Sequence, residues 1–272
     1  MLYKKSWLTW ETLPAYFGTI DLYTGYTFKN QHSLNLALLF SFPFPDKTGS
    51  MEDYDALLYD GIVTDYSKHD NYTDNLLSAG FSVNYTFFGG LGIGIEFEYE
   101  KIHFRSKNGY AQHNTDLYGH THGYWNPDMA HSDEYDGAIV ITYDVTSFYW
   151  KPGITWHFSL TKSLKIGFDI WLHMYRYNRA LDIHYSIVPN IPSSYFTDIV
   201  ETWFSGANAQ ATVEYGFTKN FSLSLNISGT YLPDAQGDDY SGKPPKYKLN
   251  EDYKGGFGAW NASACISAIF RL

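Results

Sequence analysis

Hydrophobic and polar residues alternate with period two over long stretches of this chain. "LGIGIEFEYE" (91–100) puts Leu91, Ile93, Ile95, Phe97 and Tyr99 on one side, and Gly92, Gly94, Glu96, Glu98 and Glu100 on the other. "FSLSLNISGTY" (221–231) sets Phe221, Leu223, Leu225 and Ile227 against Ser222, Ser224, Asn226 and Ser228. Strict alternation predicts strands. Strands of soluble sandwiches usually stop near five or six residues. These run on to the roughly ten residues that a tilted strand needs to cross a bilayer.

The connections alternate too. Short turns fall at Lys29-Asn30-Gln31, Phe88-Gly89-Gly90, Thr161-Lys162-Ser163 and Thr218-Lys219-Asn220. Long polar stretches fall near 45–73, 105–137, 178–200 and 233–256. Short turns at one end and long loops at the other are the signature of an outer-membrane barrel. The expected fold is therefore all-β: a single antiparallel up-and-down barrel over 1–272. Nine strands are expected, at about 6–28, 32–44, 75–88, 91–107, 137–159, 164–180, 199–217, 221–232 and 257–272. Bacterial single-chain barrels carry an even number, and an open edge is not viable in lipid. Two expectations follow: a tenth, N-terminal strand belongs to the intact protein, or Met1–Trp10 folds back as a short strand of its own.

Composition sharpens this picture. The 25 Tyr, 19 Phe and 8 Trp exceed what a soluble core needs, and "FYW" (148–150) and "YLP" (231–233) place rings at strand ends, as interfacial girdles do. No apolar run approaches the roughly 18 residues of a spanning helix. The N-terminal stretch has no apolar segment of the signal-peptide kind, so a signal is expected to have been removed or the start cut. A net charge of −10 argues against nucleic acid as a partner. The single Cys265 falls on the lumen side with Ser263 and Ser267, opposite the apolar series Ala262, Ala264, Ile266, Ala268, Phe270 and Leu272, and is expected to be an inert thiol.

Candidate chemistry lies in the polar stretches. In "MEDYD", Asp53 and Asp55 are two apart, so an extended chain points both carboxylates to one side, where like charges raise each other's energy. "TDYSKHD" holds Asp65, Ser67 and His69, and "LDIHYS" holds Asp182 and His184. A carboxylate beside an imidazole orients the ring and stabilises its protonated form. A facing carboxylate pair could hold a water and share a proton. Each motif alone also arises by chance in polar loops. "GHTHGYWNPDMAHSDEYD" adds His120, His122 and His131 with Asp128. Metal binding there is conceivable, but a solvated loop is the expectation, and no metal is assigned.

"MEDYD", "TDYSKHD" and "LDIHYS", in that order, resemble the omptin family of outer-membrane proteases. "SWLTWE" is similar to that family's second strand, and "GIEFEYEKIHFRS" to the strand after its second periplasmic turn. The resemblance covers nearly the whole chain. It implies a ten-stranded barrel in the bacterial outer membrane, with its active site facing outside the cell. It implies an aspartic-type endopeptidase acting on peptides or proteins. His184, oriented by Asp182, would take a proton from a water held against Asp53 and Asp55, with no acyl-enzyme. Asp65, Ser67 and His69 would support the site. No cofactor is implied, but lipopolysaccharide is implied as an activator, with Lys101 on the lipid-binding wall. The expected partners are thus a peptide substrate and outer-membrane lipid, with the protein a monomer.

Three departures stand beside the resemblance. Ala180 occupies the position of an acidic subsite residue, which removes one basis for a basic-substrate preference. Phe97 and Tyr99 stand beside Lys101, so a wider cationic patch is not expected there. The outward series Leu164, Ile166, Phe168, Ile170, Leu172 and Met174, if continued, would carry Asp182 and His184 outside. A bulge between Tyr175 and Leu181 is therefore predicted to switch the face. The rival readings are a non-catalytic adhesin or receptor, a passive pore, or a lipid-modifying barrel enzyme. A pore requires a lumen left open by Glu96, Glu98 and Glu100.

Overall fold

Period-two patterning commits nearly the whole chain to strands. The computed structural model describes residues 5–11, 16–29, 32–44, 46–58, 60–116, 120–186 and 192–271. Its strands are β1 (Lys5–Trp10), β2 (Tyr16–Thr27), β3 (Ser33–Phe44), β4 (Asp46–Ala56), β5 (Asp65–Thr86), β6 (Leu91–Gln112) and β7 (Asp133–Glu134). They continue as β8 (Ile139–Ser159), β9 (Leu164–Leu172), β10 (Tyr175–His184), β11 (Ser194–Trp203), β12 (Ala207–Gly216), β13 (Phe221–Ser241) and β14 (Lys248–Phe270).

All pairings are antiparallel and run mainly between chain neighbours. Several strands are halves of one stave: β1 with β2, β3 with β4, β9 with β10, and β11 with β12. The described residues thus form nine staves, with β7 a short appendage on β6. Lys5–Trp10 does not fold back. It continues the first stave, pairing β4 as β2 pairs β3. The turn at Phe88–Gly90 is a 3-10 turn. The turns at 161–163 and 218–220 join adjacent staves. Asn30 and Gln31 of the first predicted turn, and Leu272 of the last apolar series, lie outside the described residues.

The polar stretches are less loop-like than the sequence suggests. Most of 45–73 is β4 and the start of β5, β6 extends to Gln112, and 233–256 holds the tip of the β13–β14 hairpin. The inward residues of these upper strands are buried but polar, Thr48, Asp53, Asp65, Ser67, His69 and Asn71 among them, so hydrophobic alternation disappears although the ladder continues.

Two girdles bracket the apolar outer face. Tyr99 contacts Phe148, Phe148 contacts Tyr177, and Tyr175 contacts Trp203, with ring centroids 5.0–6.1 Å apart. At the other end Tyr215, Phe217, Phe221 and Phe270 form a second chain of rings. Between them Ile93, Ile95, Ile154, Ile170 and Ile227 are exposed outward. The parts of β1, β4–β6, β8, β10, β11, β13 and β14 beyond the upper girdle stand clear of this band.

The lumen is layered. Glu96 and Glu98 grip the buried Lys151, the latter at 2.7 Å. Above them Arg176, fully buried, donates from Nη2 to the carbonyls of Pro233 and Phe257 at 3.1 Å each. Higher still lies an apolar plate of Phe104, Val145 and Ala180, covered by Trp10, Ile102, Tyr143 and Phe257. Trp10 stacks on both Phe104 and Tyr143. This plate is the floor of the mouth.

Candidate active site

Two walls of the mouth carry the acidic and basic groups. On the first, cross-strand register sets the rows. Asp55 pairs with Ser6 on one side and Asp65 on the other; Asp53 lies between Leu8 and Ser67; Met51 lies between Trp10 and His69. Period two then points Asp53, Asp55, Asp65, Ser67 and His69 into the lumen together. Asp53, Asp65, Ser67 and His69 are buried.

The second wall depends on a face switch. Along β9, Phe168, Ile170 and Leu172 face outward. His173 and Met174 interrupt the ladder, and β10 then presents Arg176, Asn178, Ala180, Asp182 and His184 inward. Trp171 pairs with Gly153 whereas Tyr175 pairs with Trp150, so the sixth stave has one residue more than its partner. The switch sits at His173–Met174, just before the window expected from sequence. From Tyr175 to His184 the ladder is unbroken. Without this bulge Asp182 and His184 would face the outer surface.

His184 Nε2 lies 2.7 Å from Asp182 Oδ2. Burial opposes charge on His184, but Asp182, Asp53 and Asp55 outweigh it and raise its pKa to about 10. Burial and the neighbouring Asp55 push Asp53 well up, against the pull of His184. Burial raises Asp55 too, opposed by a hydrogen bond from Ser6 and by His184. The two walls therefore feel each other's charge across the opening. Asp53 Oδ1 and Asp182 Oδ1 are buried and make no hydrogen bond to the protein.

The three expected supporting residues have different roles. Burial would raise Asp65, but hydrogen bonds from His113, Thr115 and Thr64 hold it down to about 2. His69 Nδ1 donates to the Asn108 carbonyl at 2.6 Å, and its Nε2 lies 2.9 Å from Ser67 Oγ. Burial lowers the His69 pKa. Neutral, with its proton on Nδ1, the ring accepts the Ser67 hydroxyl at Nε2. Asn108 (φ 59) and Gly109 (φ 89) supply the left-handed kink that aims that carbonyl. A Cβ on Gly109 would sit 1.9 Å from the Lys68 carbonyl.

Ala180 is buried in the apolar floor. Asp198 lies directly across from it and is itself paired in register with Asp239. Burial and Asp239 raise Asp198 to about 7. Ser6, His113, Thr115, Asp198 and Asp239 carry no sequence motif that points to the site. Their link to the site runs through cross-strand register, which no local motif reveals.

Outside, Lys101 is exposed, and the same outward series continues to His103 and Arg105. His103 Nδ1 pairs with Asp144 at 2.7 Å, and Arg105 Nη2 with Asp74 at 2.8 Å. Lys107 lies over the Tyr72 ring, 4.5 Å from its centroid. Basic side chains thus continue upward from Lys101, with His103 and Arg105 each paired to an aspartate, and not down toward Phe97 and Tyr99. In the long loop, His120 and His122 both reach Asp116 Oδ2 at 3.2 Å. His131 instead stacks on Tyr110 and pairs with Glu134, so the three histidines do not gather in one group. Cys265 lies 3.5 Å from Ser267 Oγ on the lumen side.

No protein-family model matches this sequence, and no curated protein matches it. Its fold matches the crystal structure of outer membrane protease OmpT from Escherichia coli with a TM-score of 0.69, over 88% of this chain and 82% of that one, at 12% identity. The fold is that of an outer-membrane barrel.

Proposed function

We propose that this chain is an outer-membrane endopeptidase whose site opens outside the cell and activates water between two walls. The observation that carries the reading is the Asp182–His184 couple, hydrogen-bonded at 2.7 Å, in electrostatic contact with the Asp53–Asp55 pair. The similarity to OmpT, a protease by its title, supports it.

Proton counting supplies a mechanism. A neutral His184 facing a singly protonated Asp53–Asp55 pair has the same charge as an imidazolium facing an ionised pair. In the first arrangement His184 accepts the proton of a water lodged between the walls, and the water oxygen attacks the scissile carbonyl. The protonated carboxyl donates a hydrogen bond to the developing oxyanion. His184 then returns its proton to the leaving amine, and the C–N bond breaks. Asp182 orients the ring throughout. Activity should fall at low pH, where both walls are fully protonated, and at high pH, where the pair loses its proton.

Asp198 and Asp239 keep the wall beside Ala180 acidic, which favours peptides with a basic side chain near the cleaved bond. The ladder Lys101, His103, Arg105 and Lys107 suits anionic lipid headgroups, lipopolysaccharide among them, and an activating role for that lipid fits its place on the wall that carries Asp65 and His69.

A second reading has one observation in its favour. Ser67 Oγ, 2.9 Å from His69 Nε2, resembles an activated serine. His69's other nitrogen is held by a carbonyl, not a carboxylate, so its imidazolium would lack the usual stabilising charge. Peptide cleavage by refolded wild type, Ser67→Ala and His184→Ala separates the two. The water mechanism expects Ser67→Ala to stay within about tenfold of wild type and His184→Ala to lose about 10²–10⁴-fold. The reverse ranking would assign the reaction to serine.

A further inference from the structure

Asp55 and Asp65 are register partners on adjacent strands, and both side chains point into the mouth. Directly opposed like charges destabilise a sheet and raise each other's proton affinity. Asp65 is nevertheless buried, with its carboxylate satisfied on every side. Thr64 Oγ1 and Thr115 Oγ1 each donate to Oδ2 at 2.7 Å, and the Thr115 backbone N–H donates to Oδ1 at 2.9 Å. These groups satisfy hydrogen bonds but bring no positive charge. His113 does: its Nδ1 lies 3.4 Å from Asp65 Oδ1 and its Nε2 3.8 Å from Asp133 Oδ2. The His113 backbone N–H donates to Ser132 Oγ at 2.9 Å, which fixes where the ring enters from the long loop.

We infer that His113 is a positioning residue of the site: as the counter-ion of Asp65, it neutralises the carboxylate opposite Asp55 and so lets the Asp53–Asp55 pair keep its working charge. The inference rests on the hydrolytic reading of that pair. The charged and titratable groups around the His113 ring are Asp65 and His69 on β5, Asp133 on β7 and Asp55 on β4. The hydrogen bond to Asp65 raises the pKa of His113 against the effect of burial, and Asp133 and Asp55 add to the rise. His113 therefore stays cationic to higher pH than a free imidazole, and loses its effect as pH climbs through its raised pKa. Without it, Asp65 stays ionised on its threonine hydrogen bonds, and its charge falls on Asp55.

The test compares pH–rate profiles of wild type, His113→Gln, Asp65→Asn and the double variant on one peptide substrate. His113→Gln should lower kcat with KM within about twofold, and move the acid limb up by roughly one pH unit, because Asp55 then holds its proton longer. Adding Asp65→Asn to His113→Gln should restore most of the lost kcat, since the charge needing compensation is gone. An unmoved acid limb, or a double variant no better than His113→Gln, would overturn the inference. Titration of the Asp55 carboxyl by 13C NMR reads the same shift without turnover. A wild type that cleaves nothing would sink the protease reading, and this titration would then still decide the role of His113: a shift upward in His113→Gln sustains it, no shift ends it.

Discussion

Four side chains carry the proposed chemistry, and the sequence shows why they pair as they do. Asp-x-Asp and Asp-x-His are legible because a strand's period of two puts both members on one face. What each group meets across the sheet is not legible. Asp65 looks in sequence like one more loop acid; in the structure it is the buried carboxylate that holds His113 and Thr115. Its pKa is depressed to about 2, so its contribution to stability is present above the ordinary aspartate value and lost as pH falls toward 2. Asp65→Asn should therefore cost about 2 kcal/mol near neutrality and flatten the loss of stability between about pH 4 and pH 2. Denaturant unfolding in detergent across that range checks it; an unchanged acid transition would place Asp65 outside this role. Asp53→Ala should abolish cleavage while leaving unfolding midpoints near wild type, because it removes a buried carboxylate that has an unsatisfied oxygen.

At the scale of elements, the decisive feature is the extra residue at His173–Met174. The alternation of Leu164 to Leu172 demands a switch somewhere before Asp182, and the sequence makes that demand visible. The exact position is not visible, since a bulge is fixed by pairing with both neighbouring staves and not by local composition. Inserting one residue between Asn178 and Arg179 should shift Asp182 and His184 by one position, turn them outward and abolish cleavage in a barrel that still folds. Deleting Met174 instead removes the extra residue, puts Tyr175–Trp150 in the register of Trp171–Gly153 and should leave both side chains facing inward. Cleavage that survives the insertion would show that the facing of the dyad is not set by this register. The upper hairpins resemble loops in sequence for a related reason. In water, strands such as 46–56 bury no continuous apolar face, so only the ladder itself identifies them.

For the whole molecule, the barrel architecture was legible because a lipid-facing surface writes its period into every stave. The lumen was not, because its residues interact across staves far apart in sequence. Arg176 illustrates this: one side chain on β10 satisfies carbonyls at positions 233 and 257, where the β13–β14 register shifts. Below it, Lys151 locks Glu96 and Glu98 together in the middle of the lumen. Planar-bilayer recordings should accordingly show no steady conductance, and a steady open pore would favour the transport reading. Lys151→Met should cost roughly 3–5 kcal/mol, because it leaves buried carboxylates unpaired.

The most direct measurement is the cleavage of a peptide library by refolded protein in detergent with lipopolysaccharide, wild type beside His184→Ala and Asp53→Ala. Wild type should cut internal peptide bonds, preferentially beside basic residues, and both variants should lose at least about a hundredfold in kcat/KM. Cleavage that survives in either variant at the wild-type rate, or a wild type that leaves every peptide intact, would contradict the account.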